Sequence, residues 1–175
     1  PGLVYGTPTA LSTIVLSSAN PLTSTNNSYA TTPTISTSAA TFSALQFSNA
    51  APVITVNAGL SETGLTIAVP VTQNAGMTGP LAKTGTGVLA LSGASTFTTG
   101  FNLNQGGLMF GANSTGTPVT SGPVGTGTLT IAGGTSLLSD NTIRTIGNAT
   151  TVNGDFTFAG PVAGNGVILS GAMAL

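Results

Sequence analysis

Glycine returns down the second half of the chain at a nearly constant interval: Gly64, Gly87, Gly107, Gly127, Gly147 and Gly166 are separated by 23, 20, 20, 20 and 19 residues. Most of them open a short apolar run, as at Leu65, Ile67 and Val69, at Val88, Leu89 and Leu91, at Leu108 to Phe110, at Leu129 and Ile131, and at Val167 to Leu169. A fixed interval holding short strands and turn residues suits a coiled stack of β-rungs, because each rung buries its apolar face only against its neighbours. Two further apolar series run at the same step in other phases. One passes Ile54, Met77 and Phe97, has a poor site near Val119, and continues through Leu137, Phe156 and Leu175; the other passes Leu81, Leu103, Val124, Ile143 and Val162. Three interleaved series at one period predict an all-β fold, a parallel β-helix with about three strands and twenty residues per rung. Leu65, Leu89, Leu108 and Leu129, with Phe97, Leu137 and Phe156, are expected to point inward as ladders.

The connecting pieces agree with sharp corners. Asn57-Ala58-Gly59, Gly106-Gly107, Gly111-Ala112-Asn113, Ala132-Gly133-Gly134 and Asn153-Gly154 carry residues that tolerate left-handed backbone angles. Pro70 is expected to end or bend the Leu65 to Val71 run. Twenty residues per rung would give roughly eight rungs and, at a strand spacing of ~4.8 Å, a rod ~40 Å long.

Composition narrows the function classes. Charged residues are 3% of the 175, against roughly 25% in ordinary soluble domains. The five are Glu62, Lys83, Asp140, Arg144 and Asp155, with a net charge of -1, so the clustered Lys and Arg that hold nucleic acid are missing. Serine and threonine number 49, which makes the surface polar through hydroxyls rather than charges. Hydrophobic residues at 40%, alternating with Thr and Ser in short segments, argue against disorder and for half-buried strands. No run reaches the ~18 apolar residues of a spanning helix, and the strands are shorter than the ~9–11 residues of a transmembrane barrel. With no cysteine, disulfides neither staple the fold nor report a compartment. The chain opens at Pro1 rather than Met, which reads as a processed or excised segment.

Residues 1–40 differ from the rest. Thr and Ser dominate, Gly is scarce after Gly6, and the interval fades upstream of Leu45 and Phe47. They are expected to form irregular first rungs, with strands at Ser12 to Leu16 and Thr34 to Ser36, or else an extended arm; residues 41–175 are the β-helix repeat domain.

One stretch is more specific. From Leu81 the chain reads Leu81-Ala82-Lys83-Thr84-Gly85-Thr86-Gly87-Val88-Leu89-Ala90-Leu91-Ser92-Gly93, then Ser95-Thr96-Phe97 and Gly100, then Leu103-Asn104-Gln105-Gly106-Gly107-Leu108. This resembles the autotransporter-associated β-strand repeat, also called the passenger-associated transport repeat, with Ser95 where that pattern has Asn and Phe97 where it has Tyr. A partial second copy runs from Gly164 to Ala172. The repeat-motif residues are thus Lys83, Gly85, Gly87, Leu89, Leu91, Ser92, Gly93, Gly106, Gly107 and Leu108. The resemblance implies a right-handed β-helix on the outside of a bacterial cell; it implies no activity.

Catalysis usually borrows His, Cys, a carboxylate pair or an activated Lys, and His and Cys are absent. The best remaining cluster is Asp140, Arg144 and Asp155, but Asp140-Asn141 and Asn153-Gly154-Asp155 read as turns. Glu62 and Lys83, 21 residues apart, are expected to stack as an exposed ion pair that supports register. Asn26, Asn113 and Asn148 each open a glycosylation-type triplet, which in so Asn- and Thr-rich a chain arises by chance. Gly85-Thr86-Gly87 is a corner rather than a phosphate loop. No residue is assigned a catalytic, cofactor-binding or metal-ligating role, and no cofactor is expected.

A β-helix is closed along its sides but exposes unpaired backbone at its first and last rungs. No charge follows Asp155 and none precedes Glu62, so neither end is protected against stacking. The expected function is therefore non-enzymatic: an extracellular structural protein whose partners are copies of itself, joined head to tail through Ala172, Met173, Ala174 and Leu175, with the Thr/Ser-rich residues 1–40 of the next unit forming or covering the contact. The alternative is an adhesin or autotransporter stalk whose Thr- and Asn-rich sides contact polysaccharide or another cell surface.

Overall fold

The computed structural model describes residues 12–37, 42–159 and 166–175, and it is a parallel β-helix. Its strands follow one another around three sides. The first turn is β1 (Ser12–Leu16), β2 (Leu22–Thr25) and β3 (Thr34–Ile35); the second is β4 (Phe42–Phe47), β5 (Val53–Asn57) and β6 (Thr63–Ile67). The third is β7 (Val71–Gln73), β8 (Leu81–Thr84) and β9 (Val88–Leu91). Two turns then show a regular strand on two sides only: β10 (Phe101–Leu103) with β11 (Gly107–Phe110), and β12 (Leu129–Ile131) with β13 (Ser136–Ser139). The sixth is β14 (Arg144–Ile146), β15 (Thr150–Val152) and β16 (Thr157–Phe158), and the last described strands are β17 (Val167–Leu169) and β18 (Met173–Ala174).

One side is a seven-stranded sheet in the order β18-β15-β12-β10-β8-β5-β2, and a second is six-stranded, β16-β13-β11-β9-β6-β3. The third begins as β1-β4-β7 and returns as β14-β17. Between these it is irregular, held by a Ser95–Gly122 bridge and by isolated bonds in which Thr96 N–H donates to Val71 O at 3.1 Å and Thr126 N–H to Phe97 O at 2.9 Å. Every strand pair is parallel and connects one turn to the next, so residues 12–37 supply a strand to each side.

Inside, the alternation of each strand sends every second residue to a common core. The ladders run Leu65–Leu89–Leu108–Leu137 on the six-stranded side and Leu81–Phe101–Leu129 on the seven-stranded side. All seven residues are buried, as are Phe47, Phe97 and Phe110. Of the expected core positions only Phe156 is less than fully buried, packing on the cluster from its edge. From the other two series Ile143 is 53% exposed and Val162 lies outside the described residues.

The interval is less regular than the glycines suggest. Leu89 to Leu108 is a step of 19 and Lys83 to Leu103 a step of 20, whereas Leu22 to Ile54 is 32 and Leu108 to Leu137 is 29. Among the described residues the longest sheet has seven strands. After Gly107 the glycines change sides: Gly127 precedes β12 on the seven-stranded sheet and Gly166 precedes β17 on the third. The cause is an excursion after β11, where Thr115 and Ser121 form an antiparallel bridge and Ser114 N–H donates to Thr145 O at 2.9 Å. It lengthens that turn while leaving Leu129, Ile131 and Leu137 in the core.

Candidate functional site: a lysine-filled corner and an open end

The repeat-like motif builds the corner between β8 and β9. Strand parity puts Leu81 and Lys83 on the same, inward face, so Lys83 occupies a ladder position between Ile54 and Leu103. Its side chain is fully buried. The ammonium has three protons to place, and three backbone carbonyls take them: Gly85 O and Gly87 O at 2.5 Å and Gln105 O, one turn on, at 2.9 Å. Gln105 also reaches back, its Oε1 accepting from Gly85 N–H at 3.1 Å. Lys83 thus ties two successive corners together from within, and burial pushes its ammonium down to about 8.

The glycines make room for this. Gly106 has a φ of 75°, and a Cβ there would lie 2.5 Å from Gly85 O and 2.7 Å from Lys83 Nζ. At Gly87 a Cβ would collide with the carbonyl of Asn57 on the preceding turn. Leu89, Leu91 and Leu108 of the motif are core residues, and Gly93 is buried against the backbone of Val69.

Lys83 therefore does not pair with Glu62, which is exposed and has no ion-pair partner among the described residues. An ammonium surrounded by carbonyls inside the coil has no path to a carboxylate on its outer surface. The same device recurs with an amide in another corner. Asn148 is buried, and its Nδ2 donates to Gly125 O at 3.1 Å and Gly127 O at 2.8 Å. Asn26 is likewise buried, with Nδ2 on Thr31 O at 2.9 Å and Thr63 O at 3.3 Å. Neither amide is free for modification, so two of the three glycosylation-type triplets are structural; in the third, Asn113 Oδ1 accepts from Thr145 N–H at 3.1 Å.

Asp140 and Arg144 form a bidentate pair, Nε to Oδ1 and Nη2 to Oδ2, both 2.7 Å. Hydrogen bonds from Arg144 hold the Asp140 carboxyl below the usual carboxylate range. Asp155 is exposed and is tied in through its backbone, where its carbonyl accepts from Gly134 N–H at 2.7 Å. Among the described residues no three of His, Cys, Asp and Glu gather where a metal ion could be held. A cleft of about 390 Å³ lies between the excursion at Ser114–Val119 and Thr145, Gly147 and Ser170, and no charged group lines it.

Among the described residues β18 pairs with β15 and no other strand. Met173 continues the ladder of Leu129 and Thr150, yet it is 50% exposed, and Leu175 is 98% exposed. Beside it Phe158 stands in register with buried Leu137 but is 57% exposed, in a T-shaped contact with Phe156 at 5.1 Å between ring centroids. Ala172 and Ala174 are exposed as well. No helix of the described residues is long and apolar enough to cross a membrane.

No family model, curated protein or solved structure matches the chain.

Proposed function

We propose that the chain is a structural segment of a bacterial surface filament whose units stack end to end through their open rungs. The observation that supports this reading is that each turn lies in parallel register on the one before, so a rung that is half in water, as at Met173 and Phe158, is completed by a further rung of the same kind. The shape that covers such a face is another rung, which extends the backbone ladder and the apolar ladder in one step. A heterologous contact of this kind does not close, so it propagates. The resemblance of residues 81–108 to the autotransporter-associated repeat supports an extracellular location. A non-enzymatic role is supported by the uses found for the ionisable groups: Lys83 fastens a corner and Asp140 and Arg144 neutralise each other.

The stalk reading, with polysaccharide against the sides, draws on the Thr- and Asn-rich outer faces. It is the weaker of the two because Phe47, Phe97, Phe101 and Phe110 all face the core, so the rings of the central turns are turned away from a sugar.

Analytical ultracentrifugation over a wide concentration range is the test. The unmodified chain is expected to grow beyond any fixed oligomer, and Ala172→Lys with Ala174→Lys to hold it at the monomer while circular dichroism stays β-rich. A unit that remains monomeric at high concentration overturns the filament reading in favour of the stalk.

A further inference from the structure

The excursion after β11 is a fastened wall rather than slack chain. Antiparallel bridges pair Thr115 with Ser121 and Ser95 with Gly122, and Thr120 N–H donates to Thr115 O at 2.7 Å. From below, Ser114 Oγ donates to Asn148 Oδ1 at 2.9 Å, the same buried amide whose Nδ2 is held by Gly125 O and Gly127 O. In coiled repeats an insertion into one turn stands out from one face, commonly the binding face.

Between this wall and the third side lies the cleft of about 390 Å³, at the lower end of the ~300–1,000 Å³ range of small-molecule pockets and large enough for a mono- or disaccharide. Pro118 and Val119 line it from the excursion, with Thr117 beside them, and Thr145 and Ser170 line it from the coil. A Cβ at Gly147 would lie 3.1 Å from Val119 Cγ2, 3.7 Å from Ser114 Cβ and 3.8 Å from Ser170 Oγ, three residues that all border the cleft, so the missing side chain is part of its space. The hydroxyls of Thr117 and Thr145 have no partner among the described residues, and that of Ser170 has only a long bond of 3.4 Å to Ile146 O.

We infer that the cleft is a binding site for a neutral saccharide. No charged group lines it, and Arg144, next to Thr145, is neutralised by Asp140, so a phosphate or carboxylate finds no counter-charge. A peptide laid along β14 as an extra strand is excluded too. The backbone groups on that edge are spent, with Thr145 N–H on Asn113 Oδ1 at 3.1 Å and Thr145 O taken by Ser114 N–H at 2.9 Å. What remains are hydroxyls, which both donate and accept, beside the apolar surface of Pro118 and Val119. A sugar matches both, with hydroxyls around its rim and C–H groups on its faces. With no aromatic ring in the lining one site alone holds its ligand weakly, and several sites displayed on one support would add avidity. The site itself is complete within one chain and does not rest on the end-to-end reading.

Saturation-transfer NMR detects weak ligands on a monomer and on an assembly alike, so its outcome is separate from that of the end-to-end reading. Maltose, cellobiose and lactose are the probes, with glucose 6-phosphate as the charged control. At least one of the three neutral sugars is expected to receive saturation from the unmodified chain, and glucose 6-phosphate is expected to receive none. The Kd of the bound sugar should rise about tenfold in Gly147→Ala, whose methyl enters the cleft. It should rise about fivefold in Thr145→Val, which keeps the shape and removes one hydroxyl. Thr55→Val, on the seven-stranded sheet, should leave it unchanged. Far-UV circular dichroism checks that each variant folds, and Thr117→Val, on the exposed excursion, replaces Gly147→Ala if that variant does not. No saturation of any neutral sugar, or equal binding of glucose 6-phosphate, overturns the inference. Binding untouched by the cleft variants but lost in Thr55→Val overturns it as well and moves the sugar to the sheet, as the stalk reading has it.

Discussion

Replacing Lys83 by Met tests the idea that a buried ammonium fastens two corners. Met keeps the length of the stem and the ladder position between Ile54 and Leu103, so packing changes little. It removes the donor to three carbonyls together with the cost of burying the charge. Gly87 O keeps a second partner, Gly107 N–H at 3.3 Å, but Gly85 O and Gln105 O lose the ammonium. Both of those bonds are part-buried, so water takes over some of the lost bonding, and the loss is set at roughly 1–3 kcal/mol. Urea unfolding followed by far-UV circular dichroism at pH 7 reads it as a lower midpoint. The pH profile adds a second readout. The folded chain releases the Lys83 proton near 8 and the unfolded chain near 10.5, so between those values the unfolded state holds more protons and stability rises with pH. The rise is at most about 3 kcal/mol and stability is flat below the window. Lys83 is the one lysine of the chain, so the Met variant should lose this rise. A Met variant as stable as its parent at pH 7, with the same pH profile, would refute the reasoning.

Three further outcomes follow from the same contacts. Leu108→Ala, in the middle of a fully buried ladder, should cost about 2–5 kcal/mol in the same assay, and Leu108→Asp should prevent folding by burying an unpaired carboxylate. Gly87→Ala drives a Cβ into the Asn57 carbonyl, which cannot move without shifting the corner, so a loss above ~1 kcal/mol is expected; an unchanged midpoint would mean the corners are loosely stacked. Asp140→Asn removes a partly exposed ion pair, worth no more than ~1 kcal/mol, and calorimetry with calcium should show no saturable site in the parent chain; a micromolar site lost in Asp140→Asn or Asp155→Asn would revive an enzymatic reading.

The fold class was legible because strand parity and the glycine interval both survive in the region 81–108, where steps of 19 and 20 hold. The series beyond Gly107 misled in its phase. A side excursion such as residues 112–121 adds length without disturbing the alternation of the strands, so a count along the sequence cannot see that Leu129 and Leu137 have exchanged sides. The inward direction of Lys83 was present in the pattern, two residues after Leu81 on one strand face. Charge argued for the surface and parity for the core, and parity won because three carbonyls at a glycine corner could solvate the ammonium. Asn148 gave no comparable signal: its partners, Gly125 and Gly127, lie on the preceding turn, and only the stacking of turns brings them near.

The central claim is that units of this β-helix continue one another's ladders. Fibre diffraction from concentrated, aligned protein tests it most directly. Stacked rungs place every strand across the fibre axis, so a meridional reflection at about 4.8 Å should appear and should vanish in the Ala172→Lys, Ala174→Lys variant. Discrete particles that refuse to align, or a fibre without that reflection, would contradict it.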